Sequence, residues 1–262
     1  MTHLFSKANI DLNYNNFINS KLDLFLEKVS MDTYLKIFEN VLLTDKSLKS
    51  DLNDHNTLTS GLTLSLDHEN YSFTSGVTSY ENLQASNNDR YQYVFPYYSF
   101  TTNLFSNYRG SLNFSSSGNN RLNETNKLDS KIDNNLNFNS RNIYSMNGFV
   151  SNYNIYLKNL NSIGKKSSNY KSSPDLEIYN INEFSLSYPL EKDSLVNYNY
   201  LTPKLSFRFN PSDMKNQSNA DRLITADNIF GINRLGLSDS FESGKSITLG
   251  FDYRKENKDN ID

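Results

Sequence analysis

Apolar and polar residues alternate along much of the chain, the signature of strands with one face turned away from water. In Ala8–Tyr14 the even positions are apolar and the odd ones polar. Lys21–Glu27 sets Leu22, Leu24 and Leu26 against Asp23 and Glu27, and Gly61–Asp67 sets Leu62, Leu64 and Leu66 against Thr63, Ser65 and Asp67. Leu128–Asn139 is the clearest case. Leu128, Ile132, Leu136 and Phe138 share one face, and Asp129, Lys131, Asp133, Asn135, Asn137 and Asn139 share the other. Phe184/Leu186/Tyr188, Leu205/Phe207/Phe209 and Ile247/Leu249/Phe251/Tyr253 continue the pattern. The polar stretches 115–126, 159–173 and 212–221 read as loops. Residues 31–43 fit both a helix and a strand (Tyr34, Ile37, Phe38, Val41 and Leu42 have helical spacing), and the strands on either side favour a strand. At roughly 20 residues per strand and connection, the chain holds about a dozen strands. No helices are evident to cover a sheet, which argues against an α/β fold.

Alternation alone permits a soluble sandwich with an apolar core or an outer-membrane barrel with its apolar face in lipid. Three features favour the barrel. The apolar faces named above carry no charge, whereas Lys or Arg at the bilayer midplane costs about 2–4 kcal/mol. Tyr91, Tyr93, Phe95 and Tyr97 form one aromatic row, and Tyr14, Tyr188 and Tyr253 stand at strand ends, as suits the headgroup level. The intervening loops are long and polar, like the external loops of such barrels. Pro96, Pro189, Pro203 and Pro211 mark strand ends or weak pairing, since proline cannot donate to a ladder.

Composition narrows the choice. Of 262 residues, 36% are hydrophobic and 21% charged, with a net charge of −3. That balance argues against a general nucleic-acid binder. Cysteine is absent, which removes disulfides and thiolate metal sites. Asparagine fills about 40 positions, far above ordinary usage. No apolar run is long enough for a transmembrane helix. His3, His55 and His68 are scattered, and Asp51, Asn53 and Asp54 lack the glycine and glutamate of a calcium loop. Asn113–Ser115 and Asn123–Thr125 match the glycosylation triplet as chance allows in so Asn-rich a chain. No enzyme motif and no cofactor motif is present. The start has no signal-peptide pattern. Alternating sequence begins by Ala8 and runs nearly to the end, so the chain reads as an interior piece of a longer protein; a complete protein with short tails is the alternative.

The stretch 227–253 reads DNIFGINRLGLSDSFESGKSITLGFDY. It resembles the barrel of the LPS-assembly protein LptD family, the organic-solvent-tolerance proteins. There a D-N-[LI]-F element precedes an Arg, an Asp and a strand of the form S-x-T-x-G-x-x-Y. The matching residues are Asp227, Asn228, Ile229, Phe230, Arg234 and Asp239, then Gly244, Ser246, Thr248, Gly250 and Tyr253. Arg90–Phe100 and Leu201–Pro211 resemble the family more loosely. The sequence shows no signal peptide and no recognisable jelly roll, carries none of the cysteines that form disulfides in some members, and would hold about half of the family's roughly 26 strands, at the upper part of the usual barrel range. The resemblance therefore implies residues 1–262 as one incomplete, open portion of a large antiparallel transmembrane β-barrel of outer-membrane type. It implies a role in moving lipopolysaccharide to the outer leaflet, among outer-membrane lipid, with an LptE-like lipoprotein in the lumen. An LptA-like bridge would act only through the missing N-terminal domain. Asn9, Asp11, Asn13, Asp23, Glu27, Asp129, Lys131, Asp133, Asn135 and Asn137 are the candidate lumen-facing residues. Arg234 is a candidate ion-pair partner of Asp239 and Glu242. A different porin or receptor barrel and a secreted β-rich adhesin remain as alternatives.

Overall fold

The computed structural model describes residues 2–37, 56–85, 89–124, 126–213, 215–216, 224–235 and 240–258. Among the described residues the chain is all-β but for one helical turn. Its strands are β1 (His3–Asp11), β2 (Asn19–Val29), β3 (Thr57–Asp67), β4 (Tyr71–Asn82), β5 (Tyr91–Asn107), β6 (Gly110–Asn123) and β7 (Lys127–Ser140). There follow β8 (Ile143–Tyr144), β9 (Val150–Lys165), β10 (Asp175–Ser187), β11 (Leu190–Asp193), β12 (Asn197–Asn210) and β15 (Gly244–Asn257). A separate two-stranded pair joins β13 (Lys215–Asn216) to β14 (Ser240–Phe241).

The others form one 13-stranded sheet in the order β1-β2-β3-β4-β5-β6-β7-β9-β10-β12-β11, with β8 on β9 and β15 on β12. All the registered pairs are antiparallel. The sheet is not closed. Among the described residues β1 pairs with β2 alone and β15 with β12 alone. Where connections are short, as between β3 and β4 or β6 and β7, the chain turns straight back and the next strand pairs with the last.

Register follows the alternation. Leu22 lies opposite Leu64, Leu24 opposite Leu62, and Leu62 opposite Val77. A slip of one residue would exchange these with Asp23 and Thr63, so the pattern specifies the pairing strongly.

Several expectations are corrected. Tyr34–Ile37 is a helical turn, α1, not a strand. The Lys36 and Ile37 amides both donate to the Thr33 carbonyl, a local solution that needs no neighbouring strand. Residues 38–43 lie outside the described residues, as do His55 and the 51–54 cluster. Strand extends into two of the three polar stretches: β6 runs to Asn123 and takes up most of 115–126, and β9 runs to Lys165 and takes up the first part of 159–173. Cross-strand hydrogen bonds from Ser116 Oγ to Asn134 Oδ1 (2.7 Å) and Ser130 Oγ to Asn120 Oδ1 (2.6 Å) replace apolar contacts there. The connections there, 124–126 and 166–174, are shorter than the polar stretches and give less support to long external loops.

The aromatic row is also broken. Gly76 faces Tyr97 and Thr78 faces Val94, so Val77 stands against both Phe95 and Pro96 in a bulge. Tyr91, Tyr93 and Phe95 share one face, and Tyr97 falls on the other. Pro189 interrupts a strand without shifting its register. Ser187 faces Lys204 and Leu190 faces Leu201, so β10 and β11 continue one line across Tyr188 and Pro189. Tyr253 lies within β15 rather than at its end.

Two compact units divide the chain: Met1–Thr102 with Ser115–Asn134 and Leu160–Leu176, and Asn103–Phe114 with Asn135–Asn159 and Glu177–Asp262. Burial is inverted relative to a water-soluble domain. Among the described residues six hydrophobic side chains are buried, against twelve polar or charged ones.

Candidate functional site

In the first unit the registers assign two unlike faces. Leu4 and Ile10 of β1 share a face with Leu22, Leu24 and Leu26 of β2, then with Leu62, Leu64 and Leu66 of β3. Phe73 and Val77 of β4 and Tyr93 and Phe95 of β5 extend it. Leu24, Leu26, Leu62, Val77 and Phe95 are all exposed. Such a contiguous apolar surface is not left to water without a reason.

Both ends of this face carry rings. At one end His68 stacks on Tyr71 at 4.7 Å, and Phe17 meets both edge-on at 6.1 Å. At the other, Tyr91 stacks on Tyr93 at 6.1 Å and Tyr93 meets Phe95 at 5.9 Å. Beyond the leucines, Lys28 and Glu81 also fall on the apolar face, where strand-by-strand reading of the sequence did not place them. The Lys28 ammonium donates to Glu81 at 2.9 Å, Arg90 Nε donates to Glu81 at 2.8 Å, and the Tyr91 hydroxyl donates to Glu81 at 3.0 Å. Arg90 also forks onto Asp32 at 2.7 and 3.1 Å. Its hydrogen bonds hold the Asp32 carboxyl below the usual aspartate range, while those from Arg90 to Asp32 and Glu81 raise the guanidinium further above its ordinary value.

The opposite face is polar. Asn9 lies across from Asp23, Asp23 from Thr63, and Asp11 from Lys21. Glu27 accepts the Thr59 amide at 2.7 Å, and Asp67 accepts Ser72 Oγ at 2.7 Å and Asn19 Nδ2 at 3.2 Å. Asp129, Lys131 and Asp133 occupy alternate positions of β7, with Asp133 buried and Asp129 accepting Asn169 Nδ2 at 3.3 Å. Asn13 departs from the expectation: β1 ends at Asp11, and Asn13 sits in the following turn with φ +50°.

The second unit repeats the two faces. Leu201, Pro203, Leu205 and Phe207 lie across from Tyr253, Phe251, Leu249 and Ile247. These β15 side chains are 59–77% exposed. On the polar side of β7, Asn135 accepts the Tyr156 hydroxyl at 2.7 Å, and Asn137 follows two positions on. Glu183, Ser206, Arg208, Asn210 and Thr248 are buried.

The segment 224–235 returns over this polar side, and it holds much of the motif. Asn228 caps its own turn: Oδ1 accepts the Thr225 amide at 2.7 Å, while the Ile229 amide donates to the Thr225 carbonyl at 3.0 Å. Phe230 lies against Gly250, where a Cβ would sit 2.9 Å from the ring. Ile232 packs on Tyr179 and Ile181. Arg234 forks onto Glu242, with Nε 2.8 Å from one carboxylate oxygen and Nη2 on the other. Arg208, missed in the sequence, donates to the Ile232 and Glu242 carbonyls at 2.9 Å each, and Asn210 Nδ2 joins it on Glu242 at 2.9 Å. Its only sequence signal was a charge at a polar position of an alternating strand. Asp227 is exposed, Gly244 supplies the φ of +86° where β15 begins, and the Tyr253 hydroxyl donates to Asn199 at 2.9 Å. Asp239 lies outside the described residues.

No protein-family model matches the chain, and no curated protein matches it.

Proposed function

We propose that this chain is part of an outer-membrane β-barrel of the LptD kind and serves in lipopolysaccharide transport and assembly. The observation that carries the reading is the inverted burial, with leucines, isoleucines and phenylalanines outermost and Glu, Asp, Lys and Arg covered. Lipid rewards that arrangement and water penalises it. Aromatic clusters at both ends of the first unit's apolar face suit two headgroup levels. The resemblance of Asp227–Tyr253 adds the substrate. In this reading the acyl chains of lipopolysaccharide stay with hydrocarbon, and its sugars pass along the Asn-, Ser- and Thr-rich face. Neutral amides donate and accept hydrogen bonds, so they solvate a sugar without holding it tightly. No covalent step is needed from this chain, and an LptE-like lipoprotein is the partner that would meet the polar face.

The protein has no tryptophan, so a single introduced one reports alone. Leu64→Trp in vesicles should be quenched by lipids brominated on their acyl chains, and Ser65→Trp should not. A photo-crosslinking residue at Asn9 should capture lipopolysaccharide in outer membranes, while one at Leu24 captures phospholipid. Equal quenching at 64 and 65 would reject the barrel. Intact quenching without lipopolysaccharide capture would leave a different barrel.

A further inference from the structure

A pocket of about 410 Å³ opens on the polar face of the first unit, lined in part by Tyr80, Gln92, Tyr97, Ser117, Asn119 and Arg121. We propose that it is a binding site for an acidic saccharide, a sugar carrying a phosphate or carboxylate.

The floor comes from the bulge in β5. By turning Tyr97 to the polar face, the bulge lays its ring across Gly76, where a Cβ would meet the phenol oxygen at 2.6 Å. The hydroxyl reaches Thr63 Oγ1 at 2.7 Å, two strands away, so the ring is pinned flat along the sheet. A flat aromatic surface fits the apolar C–H face of a sugar. Tyr80 and Gln92 are cross-strand partners above it, and Ser117, Asn119 and Arg121 are successive like-facing positions of β6. Amides, hydroxyls and phenols supply both donors and acceptors, which is what vicinal hydroxyl groups need. Among the described residues no hydrogen bond or ion pair occupies the Gln92, Asn119 or Arg121 side chain. Arg90, by contrast, is spent on Asp32 and Glu81. A guanidinium beside a sugar-shaped polar surface selects an anionic substituent, which it can grip with two hydrogen bonds.

The inference rests on the transport reading for the source of the saccharide, but its test needs no membrane. The detergent-solubilised protein is titrated calorimetrically with glucose 6-phosphate, glucose and inorganic phosphate. Glucose 6-phosphate should bind saturably and about tenfold more tightly than glucose or phosphate alone. Arg121→Ala should erase the preference for glucose 6-phosphate over glucose, and Gln92→Ala should weaken both sugars by a similar factor. Arg141→Ala, at an exposed arginine outside the pocket, should change nothing. Arg121 is itself exposed, so its variant keeps the fold, and an unchanged far-ultraviolet spectrum verifies this. Absence of saturation, phosphate binding as tightly as the sugar phosphate, or equal behaviour of the Arg121 and Arg141 variants would overturn the proposal. Lipid quenching at Leu64 would be untouched by any of these results, so the two readings fail separately.

Discussion

Leu24→Arg separates lipid from water at the apolar face. Leu24 stands between Ala8 and Leu62, which itself faces Val77, and Leu22 and Leu26 flank it along β2. Its side chain is 44% exposed in the isolated sheet. The nearest charge on that face of β2 is Lys28, four residues on, which at about 3.3 Å per residue is about 13 Å away. An arginine at Leu24 therefore sits deep in any bilayer the face occupies, and its cost should approach the midplane figure of about 2–4 kcal/mol. That is about a 30- to 1000-fold loss in the folding equilibrium. In water the same change at so exposed a site should stay within about 0.5 kcal/mol. The assay is urea unfolding of protein folded into phospholipid vesicles, followed by the gel shift of the folded form. Asn9→Arg, opposite Asp23 on the polar face, is the control and should change stability by less than about 0.5 kcal/mol. Equal small effects at Leu24 and Asn9 would refute lipid contact. A loss of several kcal/mol at Leu24 in a lipid-free, detergent-free preparation would place it in a dry protein interior and refute it equally.

Three further outcomes are expected. Gly250→Ala drives a methyl into the Phe230 ring and should destabilise by about 1–3 kcal/mol; the double change with Phe230→Ala should cost less than the sum, and strict additivity in chemical unfolding would deny the contact. Glu242→Ala leaves the buried Arg234 guanidinium without its carboxylate, while Arg208 keeps the Ile232 and Glu242 backbone carbonyls, and should cost about 3–5 kcal/mol, whereas a cost near zero in the same assay would mean the fork contributes nothing. The Asp32 carboxyl titrates below its unfolded value, so its pairing with Arg90 stabilises fully above about pH 4 and is lost as pH falls through the lowered value. Asp32→Asn should accordingly remove part of the acid sensitivity of the wild type, and parallel stability-against-pH curves for the two proteins would contradict the assignment.

Period two was enough to locate the strands around Ala8, Leu24, Leu64, Ile132, Phe207 and Leu249, because a residue's face in a strand depends only on its parity. The same rule separates Asp23 and Glu27 from their leucine neighbours. It failed where both faces are polar. Ser116 and Asn134 hold β6 to β7 through hydrogen bonds that no hydropathy pattern registers. It failed again at Tyr97, because a bulge changes parity midway through β5 and depends on the partner strand as much as on Pro96. Local hydrogen bonds to Thr33, not alternation, decided residues 34–37.

The motif from Asp227 to Tyr253 was visible in the sequence as a string of residue types, and Arg234 with Glu242 was already a candidate pair. That Phe230 fills the space over Gly250, and that Arg208 gathers the carbonyls of Ile232 and Glu242, could not be read there. Those contacts join residues from separate stretches of chain. The sequence by itself determined which residues of each strand look the same way. Only the tertiary structure decided that in the second unit the segment 224–235 covers the polar side while Ile247, Leu249 and Phe251 stay exposed, because covering a face requires a second element and the choice of which face to cover is made by packing.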